Sequence, residues 1–369
     1  MLDTIKIAHE IDSQINFLTY DGYKNISPLQ LQRLIKKGYS TGPEYVSYEK
    51  IYQHNNGYLP SCGVQVYKNN KPRIWFRFSV PKLIYGNNIK EVTQSDFWLV
   101  VKELQAKALV LGIDITQQAI KESLIWELHV GKNIDLQSTG LDSMSILSML
   151  NKLAFDGRLS MNKVFYLNVF DETDKLTIDY EAGEKWSVGC KSYEYCFYDK
   201  TAEVKKDDYG RNILNTHPNL NNILRCEYRL YKAESVKSGL QKVGIQPYIT
   251  FEQFFTDDIF KILNMYIWCK LIKPQLCWVG FFEQDPIQLL SKMKQLKIKP
   301  INCLKLLGVY YLGLTESKSS QTLKLLFPPR SNVLKRLIQQ IEAVNGVSGT
   351  LKNAFQYIES EIEKNIPLV

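Results

Sequence analysis

Apolar and polar positions alternate along DTIKIAHEI (residues 3–11), the period-two pattern of a strand with one buried face. The next segment, SPLQLQRLIKKG (27–38), changes to helical spacing, with Ser27 as N-cap, Pro28 in the first turn and Gly38 after the end. VSYEKIYQ (46–53), CGVQVYKN (62–69) and RIWFRFSV (73–80) read as successive strands, with NNG and NNK as turn material. An amphipathic helix is predicted from Gln94 to Leu111, closed by Gly112. Further strands are predicted in LIWELHV (124–130), KVFYLNV (163–169), KLTIDYE (175–181), YEYCFYDK (193–200) and LRCEYRLYK (224–232). DSMSILSMLNKL (142–153) is predicted as a helix.

After about residue 245 the texture becomes helical throughout. FEQFFTDDIFKILNMYIWCKLI, DPIQLLSKMKQLK, INCLKLLGVYYLGL and VLKRLIQQIEAV follow one another between breaks containing Pro and Ser. The expected organisation is an α+β part over residues 1–245, with a central antiparallel sheet and helices packed on one face, then a helical region over 246–369.

Sorting the strands by parity separates functional groups from packing groups. In LIWELHV, Glu127 and His129 oppose Leu124, Trp126, Leu128 and Val130. In ILRCEYRLY, Arg225, Glu227 and Arg229 oppose Leu224, Cys226, Tyr228 and Leu230. In YEYCFYDK, Glu194, Cys196, Tyr198 and Lys200 oppose Tyr193, Tyr195 and Phe197. If these strands neighbour one another, Glu127, His129, Glu227, Tyr198 and Lys200 converge. Two carboxylates and an imidazole suit Mg²⁺ or Mn²⁺, and Arg225 and Arg229 suit phosphates. Solvated faces of antiparallel sheets also carry such charges as surface ion pairs.

Composition narrows the choice. The 369 residues contain 46 Lys+Arg against 38 Asp+Glu, a net charge of +8, so a polyanionic partner is compatible with the chain. Seven scattered cysteines without a CxxC pair point to reduced thiols in a cytoplasmic protein. The start lacks a signal-peptide pattern, and the longest apolar stretch, near 260–282, is too interrupted to span a bilayer. No phosphate-binding loop, GxSxG or HExxH is present.

CFYDKTAE, preceded by LIWELHV and followed by LRCEYRLYK, resembles the rolling-circle replication initiators of filamentous phages and small plasmids, over roughly residues 70–260. That resemblance implies a palm like that of nicking endonucleases and relaxases, and a bacterial host cell. It also implies a Mg²⁺- or Mn²⁺-dependent reaction in which tyrosine attacks a phosphodiester, forms a 5′-phosphotyrosine and frees a 3′-hydroxyl. By position, Tyr198 matches the nucleophile, and Glu127 and Glu227 match the metal-binding carboxylates. Lys200 matches a lysine that stabilises charge or lowers the phenol's pKa. Glu203 matches an acid that is either a third ligand or a base. Many nicking enzymes carry two histidines where this chain has Glu127-Leu128-His129, which leaves both a His-plus-carboxylate and an all-carboxylate site open.

Single-stranded or cruciform origin DNA is the expected substrate. Arg225, Arg229, Lys232, Lys205 and Lys206 are candidate phosphate contacts, with an exposed hairpin expected in EVKKDDYGRN (203–212). SKMKQLKIKP and SNVLKRLIQQ offer further basic helix edges, and Trp75, Phe76 and Phe78 are candidates for stacking or, more simply, for the core. A host helicase and a second copy of the chain are the partners such initiators generally need. A mobilisation relaxase would share the chemistry, and a non-catalytic origin-binding protein would need only the basic surface.

Overall fold

The computed structural model describes residues 1–19, 27–37, 45–49, 58–67, 71–152, 164–166, 175–181, 184–206, 211, 214, 220–273, 276, 286–315 and 350–364. The chain is α+β. Its strands are β1 (Leu2–Glu10), β2 (Ile15–Phe17), β3 (Tyr45–Glu49), β4 (Ser61–Tyr67), β5 (Arg73–Ser79), β6 (Ile113–Ile115), β7 (Leu124–Asp135), β8 (Val164–Tyr166), β9 (Lys175–Glu181), β10 (Lys185–Gly189), β11 (Tyr193–Asp199) and β12 (Ile223–Leu230). The helices are α1 (Pro28–Lys37), α2 (Val80–Tyr85), α3 (Phe97–Val110), α4 (Gln117–Glu122), α5 (Ser143–Lys152), α6 (Lys200–Val204), α7 (Ala233–Lys242), α8 (Phe251–Phe254), α9 (Asp257–Leu271), α10 (Pro286–Gln295), α11 (Pro300–Thr315) and α12 (Thr350–Lys364). The predicted helix from Gln94 begins as a 3₁₀ turn (Gln94–Asp96) before α3, and Gly112 closes it at φ 77°.

Two compact units divide the chain. One comprises Met1–Lys132, Tyr228–Leu263 and Pro367–Val369; the other comprises Asn133–Glu227 and Asn264–Ile366. The division therefore differs from the boundary expected near 245. Aromatic packing explains why. In the first unit, Phe251 of α8 lies edge-on to Phe78 of β5 at 6.5 Å and tilted against Phe97 of α3 at 5.6 Å. In the second, Trp268 of α9 lies 6.2 Å from Phe197 of β11 and 6.4 Å from Phe355 of α12. Helices α8, α9 and α12 bury aromatic side chains against earlier elements, so they help complete both cores.

In the first unit the strand order is β3-β4-β5-β1-β7, and β3–β4, β4–β5, β5–β1 and β1–β7 pair antiparallel; β2 and β6 form a separate antiparallel pair. Pairing of β1 with β7 shifts register between Lys6 and Ile7, so Lys6 faces Glu127 while Ile7 faces Ile125. A bulge of this kind resets the alternation. Ile125 joins the buried apolar set, and Trp126, expected on that set, is half-buried with the Lys6 ammonium 5.8 Å from its ring.

In the second unit the order is β12-β11-β10-β9-β8. Gly189, at the β10 end of the turn into β11, has no room for a side chain: a Cβ there would lie 2.4 Å from the Tyr193 carbonyl oxygen and 2.7 Å from Glu194 Cα. Gly189→Ala is expected to cost roughly 1–3 kcal/mol, the usual range for forced overpacking, read as a lower urea midpoint. Among the described residues no helix is long and apolar enough to cross a membrane.

Candidate functional site

Tyrosines 193, 195 and 198 share β11 but not surroundings. Tyr193 and Tyr195 are buried, with Tyr195 edge-on to Phe197 at 5.0 Å. Burial pushes the Tyr195 phenol well above its ordinary pKa, with Cys226 and Cys196 adding to the effect. Tyr198 is half-buried, and its hydroxyl donates to Glu227 Oε2 on β12 at 3.2 Å. An acceptor at that distance is positioned to take the phenolic proton. Parity thus separated the three correctly.

Lys200 lies off the strand. β11 ends at Asp199, whose side chain caps the short helix α6 by accepting from the Ala202 backbone N–H at 2.8 Å. Helical geometry carries Lys200 back inside, where it is 1% exposed, donates to Glu203 three residues on, and sits 5.7 Å from the Tyr198 ring centre. The expected parity set of Glu194, Cys196, Tyr198 and Lys200 therefore breaks at its last member. The same helix occupies the start of the hairpin expected from Glu203; residues 207–210 and 212 of that segment lie outside the described residues.

Glu127 and His129 belong to a cluster in the first unit. Arg77 Nε lies 3.0 Å from both Glu127 oxygens and its Nη2 lies 2.7 Å from Oε1, a bidentate pair, while His129 Nε2 is 3.1 Å from Oε1. The register explains this: Lys6 on β1 faces Arg77 on one side and Glu127 on the other. Lys6 itself turns onto Trp75, 3.8 Å from the ring centre, leaving Arg77 to reach Glu127. Burial acts to raise the Glu127 pKa, but the hydrogen bonds from His129 and Arg77 and their charges outweigh it and hold the carboxyl at about 2. His129 also meets Tyr231 edge-on at 5.6 Å.

A carboxyl whose folded pKa lies below its unfolded value stabilises the fold above the unfolded pKa, and this contribution is lost as pH falls through the folded one. Wild type is therefore expected to exceed Glu127→Gln in unfolding free energy at pH 7, by on the order of 2 kcal/mol. The gap should shrink from about pH 4.5 down to about 2. Urea unfolding of both proteins at pH 7 and pH 3 measures it.

Glu127 and His129 supply a carboxylate oxygen and an imidazole nitrogen, donor types that Mg²⁺ and Mn²⁺ accept. Mg²⁺ ordinarily completes its shell with water and phosphate oxygens. The pair fits such an ion in type, with Arg77 now holding the charge an ion would bring. Among the described residues no group of three or more His, Cys, Asp or Glu side chains is gathered for a metal.

The expected DNA contacts divide by exposure. Arg225 is 2% exposed and donates to Asn133 Oδ1 at 2.9 Å, so its guanidinium joins β12 to β7 inside the second unit instead of meeting solvent. Arg229 is half-buried. Lys232, at the N-cap of α7, and Lys205 and Lys206, at the end of α6, are exposed; Lys206 pairs with Glu184 at 3.0 Å. Trp75, Phe76 and Phe78 are core residues. The SNVLKRLIQQ edge lies outside the described residues.

Comparison with protein families, with characterised proteins and with solved structures finds no match. The site is therefore read from its own geometry. Sequence reasoning missed Arg77, although its place two residues beyond Trp75 on β5, opposite Lys6, follows from alternation once β5 and β1 are paired.

Proposed function

We propose that this chain cuts and rejoins a DNA strand through a covalent bond to Tyr198, as the resemblance to rolling-circle initiators implies. The single observation that carries the reading is the Tyr198–Glu227 hydrogen bond, made by the one β11 tyrosine that is not packed into the core. A phenol has an ordinary pKa of about 10 and attacks poorly at neutral pH without a base or a nearby cation. Glu227 is the proposed base, and the Lys200 ammonium is the proposed cation.

In this reading the Tyr198 oxygen attacks phosphorus and its proton passes to Glu227. The bond from phosphorus to the 3′ oxygen breaks, the 5′-phosphate stays on Tyr198, and the departing oxygen takes a proton from solvent to become a free 3′-hydroxyl. The reverse path reseals the strand, because the ester keeps the energy of the broken bond. A bound Mg²⁺ or Mn²⁺ would offset charge on the phosphate. Exposed Lys205, Lys206 and Lys232 are the proposed contacts to neighbouring phosphates.

The test is incubation with single-stranded or cruciform DNA, with Mn²⁺, Mg²⁺ or a chelator, followed by a denaturing gel. A protein band shifted by covalent DNA is expected. Its absence with every DNA tried would leave a binding protein without this chemistry.

A further inference from the structure

The first unit carries a cavity of about 210 Å³ that the nicking chemistry does not use. It opens between the start of β7, helix α7 and the segment 247–249, and its lining includes Trp126, Tyr248, Arg73, Lys237, Glu234 and Leu240. Sites for drug-sized ligands measure roughly 300–1,000 Å³, so this one suits something smaller than a dinucleotide cofactor.

Its chemistry is specific. Tyr248 is 68% exposed, a large aromatic surface left in water. Lys237 bonds the Tyr248 hydroxyl and holds its ammonium 4.4 Å from the centre of that ring. Trp126, also in the lining, sits at the β1–β7 register shift and is half-buried, with the Arg73 guanidinium 6.0 Å from its ring centre. Arg73 is itself held by Glu10 at 3.2 Å, which fixes its position. Two aromatic rings, each with an attendant cation, border an opening lined by Leu240 and by one carboxylate, Glu234.

We propose that this cavity takes one unpaired base of a single-stranded nucleic acid, with Tyr248 and Trp126 as stacking faces and Lys237 and Arg73 meeting the flanking phosphates. Every base has a π-face, so such a site is tolerant of sequence. Glu234 gives it an acceptor for an N–H of the base, the N3–H of thymine included. The inference deepens the proposed reading, since it rests on a single-stranded DNA substrate, but it concerns affinity and leaves the covalent step aside.

The experiment measures fluorescence anisotropy of a labelled fifteen-residue oligothymidylate with wild type, Tyr248→Ala and Lys237→Gln. Stacking on aromatic side chains is worth roughly 1–3 kcal/mol per base, so Tyr248→Ala should weaken binding by about 5- to 150-fold. Lys237→Gln should weaken binding and lower the slope of log affinity against log salt by about one. On an oligomer of abasic sites, wild type and Tyr248→Ala should bind alike, because only the base contact is lost. Exposed Tyr248 can be removed without disturbing the core, and an unchanged melting temperature verifies that. Wild-type affinity in both variants overturns the inference, whatever the adduct gel shows. Competition by free thymidine monophosphate as strong as by the oligomer also overturns it, making the ligand a loose nucleotide. If wild type binds the oligomer with these losses but forms no adduct, the Tyr198 reading fails and the base site stands.

Discussion

Replacing Tyr198 with phenylalanine is expected to abolish the covalent protein–DNA adduct, while the same change at Tyr193 or Tyr195 leaves it. The substitution deletes one oxygen and keeps the ring, so packing against β10 and β12 is retained and only the attacking atom goes. Losing a nucleophile ordinarily lowers the rate by on the order of 10⁴-fold or more. Tyr195 cannot substitute for it, because burial holds its phenol well above the range in which it ionises. Glu227→Gln keeps the size of the side chain but removes its capacity to hold a proton; the adduct should form more slowly by roughly 10²–10⁴-fold, the usual worth of a general base. Adduct yield against time on a denaturing gel measures both. An undiminished adduct in Tyr198→Phe would place the nucleophile elsewhere.

The second large effect concerns stability. Lys132 on β7 donates to Glu91 at 2.8 Å, and the two side chains are 1% and 0% exposed, an ion pair sealed inside the first unit. Removing one partner takes away a buried counter-ion, which costs roughly 3–5 kcal/mol. Lys132→Met or Glu91→Leu alone should therefore lower the melting temperature by on the order of 10 °C. The double replacement is expected to recover most of that loss, since an apolar pair of similar volume is often as stable as the buried ions. Urea unfolding of the two single variants and the double variant tests it. A double variant as unstable as the singles would show that the pair positions the backbone rather than balancing charge.

The strands around the candidate site were legible because alternation is a local property. Glu127, Tyr198 and Glu227 were each assigned to the polar side of a strand from parity alone, and Tyr193 and Tyr195 to the packed side. What parity could not carry was any interruption of the pleat. The register shift opposite Lys6 left Trp126 half-buried, and the Asp199 cap moved Lys200 from strand to helix. Arg225 was read as a surface cation because its strand looked one-sided, yet both of its faces are covered. Lys132 lay beyond the strand predicted to end at Val130; β7 runs on to Asp135, and the pairing of Lys132 with Glu91 is a long-range contact with no local trace. The late helices were recognised as helices, but their contacts with Phe78, Phe97 and Phe197 are long-range and leave no local trace.

That last feature bears on how the chain must be handled. Each compact unit draws on stretches from both sides of residue 245. A fragment ending there would strip Phe251 from one core and Trp268 from the other, so both would lose an aromatic wall at once. Neither half of the chain can be studied by simple truncation, and synthesis has to proceed well past β12 before either core can close.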